Sequence, residues 1–415
     1  TYNYSFGGAQ AAALAQNRIG NSRLEWESTT VTNFGVDAGF LNNRLTAELD
    51  VYNKVTDGIL TTPNLHLTMG IKTPPTMNTA EVTNRGFELT VGWKDHVGDF
   101  NYAVSTNFSY NHNEVTKYLG KYEAGWVEKD GKKVWQSNIG DVSVDKDKGR
   151  IVEGHPIKEY YTLNTYSGNG THFNSDGSVN INGGPKDGMI RTEGDMKWLN
   201  AMIDAGYKFM PNQSVGRNNI YYGDLIYADL NGDGIYGSSY DYDFQGSSAM
   251  PKFGYGINIS ASWKNFDLSM LWAGNGGFKL YWEEDPYNSV AIRNGFATSE
   301  RVANDHYFYD PENPTDSRTN LNGYIPRLVE NSKQSRQTSN YYLYNGTYMK
   351  LKNLTIGYTL PVTLTEKISA ERVRVYLSGE NLFTITSFPG QDPEMGATTN
   401  YPSLRQFAAG ISVTF

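Results

Sequence analysis

No cysteine occurs among the 415 residues, which removes disulfide frameworks, cysteine nucleophiles and zinc–thiolate sites together. A cysteine-free chain also suits an envelope protein that avoids periplasmic oxidation. Long apolar runs are missing as well: 407–411 is typical of the longest, far below the roughly 18–20 residues of a spanning helix. A helical membrane protein is excluded, whereas a membrane β-barrel is not, because alternating strands dilute their hydrophobicity. Charge is sparse at 19%, against about 25% in ordinary domains. Its balance of −8 argues against a nucleic-acid partner, whose binder is usually basic. Residues 1–26 contain no positive stretch followed by an apolar one, so no signal peptide is read there. The expectation is that a signal has been removed or that the chain begins inside its gene.

Aromatic residues are abundant, with 30 Tyr, 18 Phe and 8 Trp, and Gly reaches 43. Disordered chains are aromatic-poor, so an ordered fold is expected. Period-two alternation is the strongest signal, and it marks strands with one apolar face. Phe100, Tyr102, Val104, Thr106, Phe108 and Tyr110 point one way, and Asn101, Ala103, Ser105, Asn107 and Ser109 the other. The same pattern recurs in 34–40, 45–51, 87–93, 255–263, 354–360, 373–380 and 407–415. These strands run about nine to fourteen residues, whereas soluble strands average about five or six. Crossing a bilayer at a tilt takes about 9–11. Trp93, Trp263, Tyr110 and Phe415 close the apolar face near its ends, as interfacial girdles do.

Connection lengths test the same idea. Segments 41–44, 94–99 and 264–265 are short, while 61–80, 113–250, 276–340 and 387–403 are long, with 361–370 intermediate in a short slot. Membrane barrels alternate short periplasmic turns with long outer loops. Placing the C-terminus in the periplasm puts every long segment outside, with residues 1–26 an extracellular loop segment and 27–415 barrel. Nine spans result, near 28–40, 44–59, 83–93, 100–113, 252–263, 266–276, 347–360, 371–385 and 404–415. Residues 115–250 must add zero or two more. Single-chain bacterial barrels have even strand numbers, so the odd total predicts an incomplete barrel. The expectation is an all-β, antiparallel transmembrane β-barrel portion with large outer loops near 113–250, 276–340 and 386–403.

Five stretches then resemble a known family. They are LEWESTTVTNFGVDAGFLNNRLTAELDVYNKVTDGIL, VTNRGFELTVGW, YMKLKNLTIGYTLP, VRVYLSGENLFTIT with the following PGQDPE, and YPSLRQFAAGISVTF. In this order they resemble SusC-like TonB-dependent transporters of Bacteroidetes outer membranes. The resemblance implies roughly half of a barrel of about 22 strands, a size class whose lumen is plugged. It implies import of an oligosaccharide or peptide across the outer membrane, with a SusD-like lipoprotein as lid. It further implies an N-terminal plug and barrel half of the same transporter, TonB acting through that part, and a dimer of transporter–lid pairs. Outer-membrane lipid would surround the wall, and no catalysis is implied. The alternative from another class is a soluble or surface carbohydrate-binding, adhesin-like β-protein.

Residues 229–234 read D-L-N-G-D-G, the start of a calcium loop. Asp229, Asn231 and Asp233 would supply side-chain oxygens and Ile235 its carbonyl. Position twelve is Tyr240, so Asp241 or Asp243 would have to close the set. The competing reading is a turn, which Asn-Gly and Asp-Gly also favour. Trp126, Trp135, Trp198 and Trp282 lie in the long loops, where they would stack on ligand or contact the lid, or else pack within their own loops. The terminal Phe415 resembles the signal read by the outer-membrane insertion machinery. Pro361 is expected to end a strand, where its missing N–H is tolerated. Glu283, Glu284 and Asp285 beside Trp282 are acidic, but adjacency in sequence is not the facing geometry that glycosidases use. The six His show no i, i+4 pair and no G-x-x-x-x-G-K-[ST] loop occurs, so no enzyme is expected.

Overall fold

The computed structural model describes residues 2–6, 9–13, 20–62, 75–146, 148–211, 220–283, 299–329, 333–397 and 401–415. Nine strands form one antiparallel sheet: β1 (Ser28–Phe40), β2 (Leu45–Thr61), β3 (Met77–Val97), β4 (Phe100–Lys117), β5 (Phe253–Trp263), β6 (Phe266–Gly276), β7 (Tyr348–Thr359), β8 (Arg372–Thr386) and β9 (Gln406–Thr414). Each pairs with its neighbour in chain order, so the topology is a plain meander. All nine expected spans are present, and among the described residues 115–250 add none. Among the described residues the sheet does not close, leaving β1 and β9 as its edges. A separate ribbon pairs Tyr2–Phe6 with Ala9–Ala13.

Register carries the alternation from strand to strand. Phe34 lies opposite Val51, Val51 opposite Phe87, Phe87 opposite Tyr110, and Tyr110 opposite Phe253. This row stays open: Phe34 is 70% exposed and Phe407, near the other edge, 76%. The opposite face is a polar ladder, with Asn33 donating to Asp50 at 2.8 Å and Tyr52 to Asn111 at 3.1 Å. Gly86 makes room there, because a Cβ would stand 2.6 Å from the Tyr52 hydroxyl. The wall thus has one lipid-like and one water-like face, as a barrel with a polar interior requires.

At one end the connections are tight. Leu41, Asn42 and Asn43 all take positive φ, as does Lys264. Exposed Trp263 and Phe266 stand beside that end. β7 stops at Thr359, and Pro361 opens the short helix Val362–Thr365. At the other end, the long segments do not form plain loops. They build a layer with its own core. Helix α1 (Glu193–Asp204) starts with a capping box, Thr192 and Asp195 each bonding the other's backbone N–H. This satisfies two of the helix's unpaired donors. Its inner face places Trp198, Leu199 and Met202 against Leu163, Phe209, Ile226 and Tyr307. The four-stranded sheet ordered Tyr242–Phe244, Glu159–Leu163, Gly149–Ile151, Val144–Lys146 stands beside them.

Long-range polar contacts tie the long segments to one another. Arg327 forms a bidentate pair with the fully buried Asp224, at 2.8 and 2.9 Å. Gln334 donates to the carbonyls of Met210 and Leu225. Tyr307 donates to the Arg191 carbonyl at 2.5 Å, and Arg191 in turn to those of Leu321 and Gly323. Buried polar groups need such partners, and here the partners come from a different connection.

Candidate functional site

Residues 229–234 form a self-contained turn. Asp229 Oδ1 accepts the backbone N–H of Gly232 and Asp233, and Oδ2 that of Gly234. Asp233 accepts the N–H of Ile235 at 2.8 Å and the Asn231 amide at 3.1 Å. Gly234 sits at φ +80°, a region open to glycine. Asp241 is fully buried and accepts from Leu230 and Ser238; burial pushes its carboxyl above the ordinary range despite those bonds. Asp243 lies on the strand Tyr242–Phe244, solvent-exposed, and caps the N–H of Phe244. Among the described residues no three acidic or histidine side chains converge. As placed, Asp229 and Asp233 accept the chain's own amide N–H groups.

The same turn carries part of an aromatic cleft. The hairpin Ala124–Lys129/Lys132–Ser137 sets Trp126 directly across from Trp135, with rings 5.6 Å apart and edge to face. This is the favoured geometry for such pairs. Trp126 Nε1–H donates to the Asn231 carbonyl at 3.0 Å, fastening hairpin to turn. A cleft of about 730 Å³ lies between them, lined by Trp126, Lys133, Val134, Trp135, Asp233 and Tyr240. Trp126 is 44% and Tyr240 47% exposed, so ring surface faces the solvent.

The other two loop tryptophans are elsewhere. Trp198 is 0% exposed, its Nε1–H satisfied by the Asn180 carbonyl at 2.8 Å. Trp282 is buried against Phe388 and Tyr344. The expectation that either offers a ring face to ligand or lid is corrected, because both are consumed in packing within the layer. Phe415 is exposed at the end of the chain after β9. Glu283 accepts from Tyr281 and lies 3.9 Å from both Lys148 and Arg336. Glu284 and Asp285 lie outside the described residues.

Sequence reasoning missed one charged cluster. Lys350, on β7, is 1% exposed and holds Asp392 at 2.6 Å and Glu394 at 2.8 Å. Lys352 also pairs with Glu394, and Ser403 donates to Asp392 at 2.5 Å. Burial would raise both carboxyls, but hydrogen bonds from Lys350, with Ser403 on Asp392 and Lys352 on Glu394, outweigh it and hold them below their ordinary range. The signal was present: Lys350 and Lys352 are the two charged residues of their strand, and the two acids flank Pro393 in the PGQDPE stretch. Tyr240 and Lys133 of the cleft had no such signal, since only the fold brings them to the hairpin.

With these features in place, comparison with known proteins is decisive. The family described as TonB dependent receptor-like, beta-barrel matches residues 1–210. The chain belongs to this TonB-dependent receptor β-barrel family. TonB-dependent receptor P3 of Formosa agariphila is 26% identical over 425 residues, covering 99% of this chain and 36% of the relative. TonB-dependent receptor SusC of Bacteroides thetaiotaomicron is 25% identical over 400 residues, covering 95% of this chain and 32% of SusC. The chain thus spans about a third of the length of these curated relatives. Among solved structures, the RagAB peptide transporter superposes over 100% of this chain and 38% of the matched chain, with a TM-score of 0.64 and 22% identity. The RagAB peptide importer in the open-open state gives a TM-score of 0.65 at the same identity, over 100% and 37%. These likenesses fix the fold of the receptor wall and of the layer on it.

Proposed function

We propose that this receptor chain supplies wall and outer surface to an importer that takes a nutrient oligomer across a bacterial outer membrane. The carrying observation is the pairing of a nine-stranded sheet, apolar on one face and polar on the other, with a packed layer at its long-connection end. A channel wall needs the first, and ligand capture at its mouth needs a surface like the second. Family membership and the relatives' names support the same reading. In this reading the tight turns face the periplasm and the layer faces outside. The two open sheet edges are met by further strands of the same transporter, because unpaired backbone groups in lipid cost several kcal/mol each.

The partner is a SusD-like surface lipoprotein seated on the layer as a lid, and TonB supplies the work through a plug. RagAB, whose closed-closed and open-open states are known, supports such a two-component arrangement. No residue of the wall or layer is assigned a bond-making role. Function resides in stacking, hydrogen bonding and exclusion of bulk water at the mouth. The test uses the full transporter with its lipoprotein in outer-membrane vesicles or cells. Labelled oligomer is expected to accumulate only when TonB is present, and the receptor to require detergent for extraction. Uptake unchanged without TonB, or recovery of the assembly without detergent, overturns the reading.

A further inference from the structure

We infer that the outward row Thr32, Asn53, Arg85 and His112 binds the phosphorylated headgroup of an outer-leaflet glycolipid. Four neighbouring strands change character at one level. Phe34, Val51, Phe87 and Tyr110 lie side by side on the exposed apolar face. Two residues nearer the layer on each strand stand Thr32, Asn53, Arg85 and His112, again directly opposite one another in register. The polar row therefore spans three strand spacings, about 14 Å.

Its level is that of a membrane interface. Phe253 and Trp263 share the outward face at opposite ends of β5. At about 3.4 Å per residue and a tilt near 40°, about 26 Å separates them along the barrel axis. That matches the apolar band of a membrane barrel, about 25 Å tall. The Phe253 ring lies 5.4 Å from Tyr110, and Tyr110 lies 6.0 Å from Phe87, so these rings form the girdle on the layer side. The polar row stands about 5 Å beyond it, among headgroups rather than acyl chains.

The chemistry of the row suits a phosphate attached to a sugar. Arg85 is exposed, and its Nε–H donates to Asn53 Oδ1 at 3.2 Å. Its two terminal nitrogens remain for a phosphate, which a guanidinium binds in bidentate fashion. Among the described residues no carboxylate pairs with Arg85. Arg44, near the tight-turn end, is the contrast: Asp95 neutralises it at 3.0 Å. His112 is 44% exposed beside Arg85, and Glu114 stands 3.7 Å from it, farther from the girdle. The Asn53 amide N–H and the Thr32 hydroxyl are left for sugar hydroxyls. A bare phosphate would use neither.

Which leaflet meets the row rests on the orientation proposed above, whereas binding itself is independent of uptake. It is measured by native mass spectrometry on the full transporter, delipidated in detergent. The probes are lipid A, its dephosphorylated form, phosphatidylglycerol and inorganic phosphate. Lipid A is expected to bind saturably, at least about tenfold tighter than either other lipid, and millimolar phosphate to leave it in place. Arg85→Gln should weaken lipid A binding about tenfold and His112→Gln about threefold. Arg44→Gln should leave it unchanged. All three side chains are at least partly exposed, and unchanged gel migration before and after heating would show an intact wall. The inference is overturned by absent lipid A binding, by binding undiminished in Arg85→Gln, or by an equal loss in Arg44→Gln. Equally tight phosphatidylglycerol, or displacement by millimolar phosphate, overturns it too. Lipid A binding without TonB-dependent uptake would break the importer reading and leave this one standing.

Discussion

Phe34 on the wall leaves 70% of its surface uncovered, while Trp198 in the layer leaves none. Both are large aromatic residues in a fold dominated by strands, yet their partners differ. The wall turns its apolar row outward, with Phe34, Leu377 and Ile411 all exposed, and this suits lipid. The layer turns its apolar residues inward on one another, as a water-facing domain does. The wall is held mainly by backbone ladders between neighbours in sequence, whereas the layer depends on side chains brought together from distant segments. Damage should therefore stay on its own side of this divide.

The largest effect is expected from Trp198→Ala, at about 4–5 kcal/mol for an emptied aromatic site. Hydrogen exchange should rise across 189–209 and 225–236, while heated and unheated samples still migrate differently on gels. Loss of that gel shift would mean that layer and wall fold as one unit. Lys350→Met should follow at about 3 kcal/mol, because it strands the buried carboxylate of Asp392. Exchange or proteolysis at 387–397 is the readout.

The same clamp has an acid limit. The carboxyls of Asp392 and Glu394 lie lower in the folded state than in the unfolded chain. Their contribution is complete above the unfolded values near 4 and disappears as pH falls through the depressed folded ones. Segment 387–397 should thus loosen below about pH 4 in the native chain. It should show no such acid step in Lys350→Met.

A wall substitution tests the other side. Leu377→Arg should cost about 2 kcal/mol in lipid vesicles, the scale for a cation on a barrel's lipid face, and leave exchange in the layer unchanged. Urea unfolding in vesicles measures it; no cost in lipid would remove Leu377 from the membrane face. The smallest effect is expected from millimolar calcium. Because the acids of 229–234 already accept the chain's own N–H groups, calcium should change stability by less than about 0.5 kcal/mol, within the usual surface range. A larger rise in the melting temperature would restore a cation to the turn.

The wall was readable strand by strand, because a two-residue period projects every second side chain to one face and adjacent strands pair in chain order. Trp198 shows a signal that was present but not used. Thr192-x-x-Asp195 is a capping pattern, and Trp198, Leu199 and Met202 follow at helical spacing, which turns the indole inward. For the cleft there was no comparable signal, since Trp126 and Asn231 are separated by 105 positions.

By itself, then, the sequence determined the wall: its nine spans, their order, the apolar face and the tight turns between alternate pairs. Short-range rules govern each of these, so local pattern suffices. Only the tertiary structure decided which loop aromatics are core and which are surface. It also decided that Trp126 is fastened to the turn 229–234, and that Lys350 finds Asp392. Those outcomes depend on contacts between remote segments, where burial and hydrogen-bond satisfaction of the whole layer select the arrangement and no periodicity announces it.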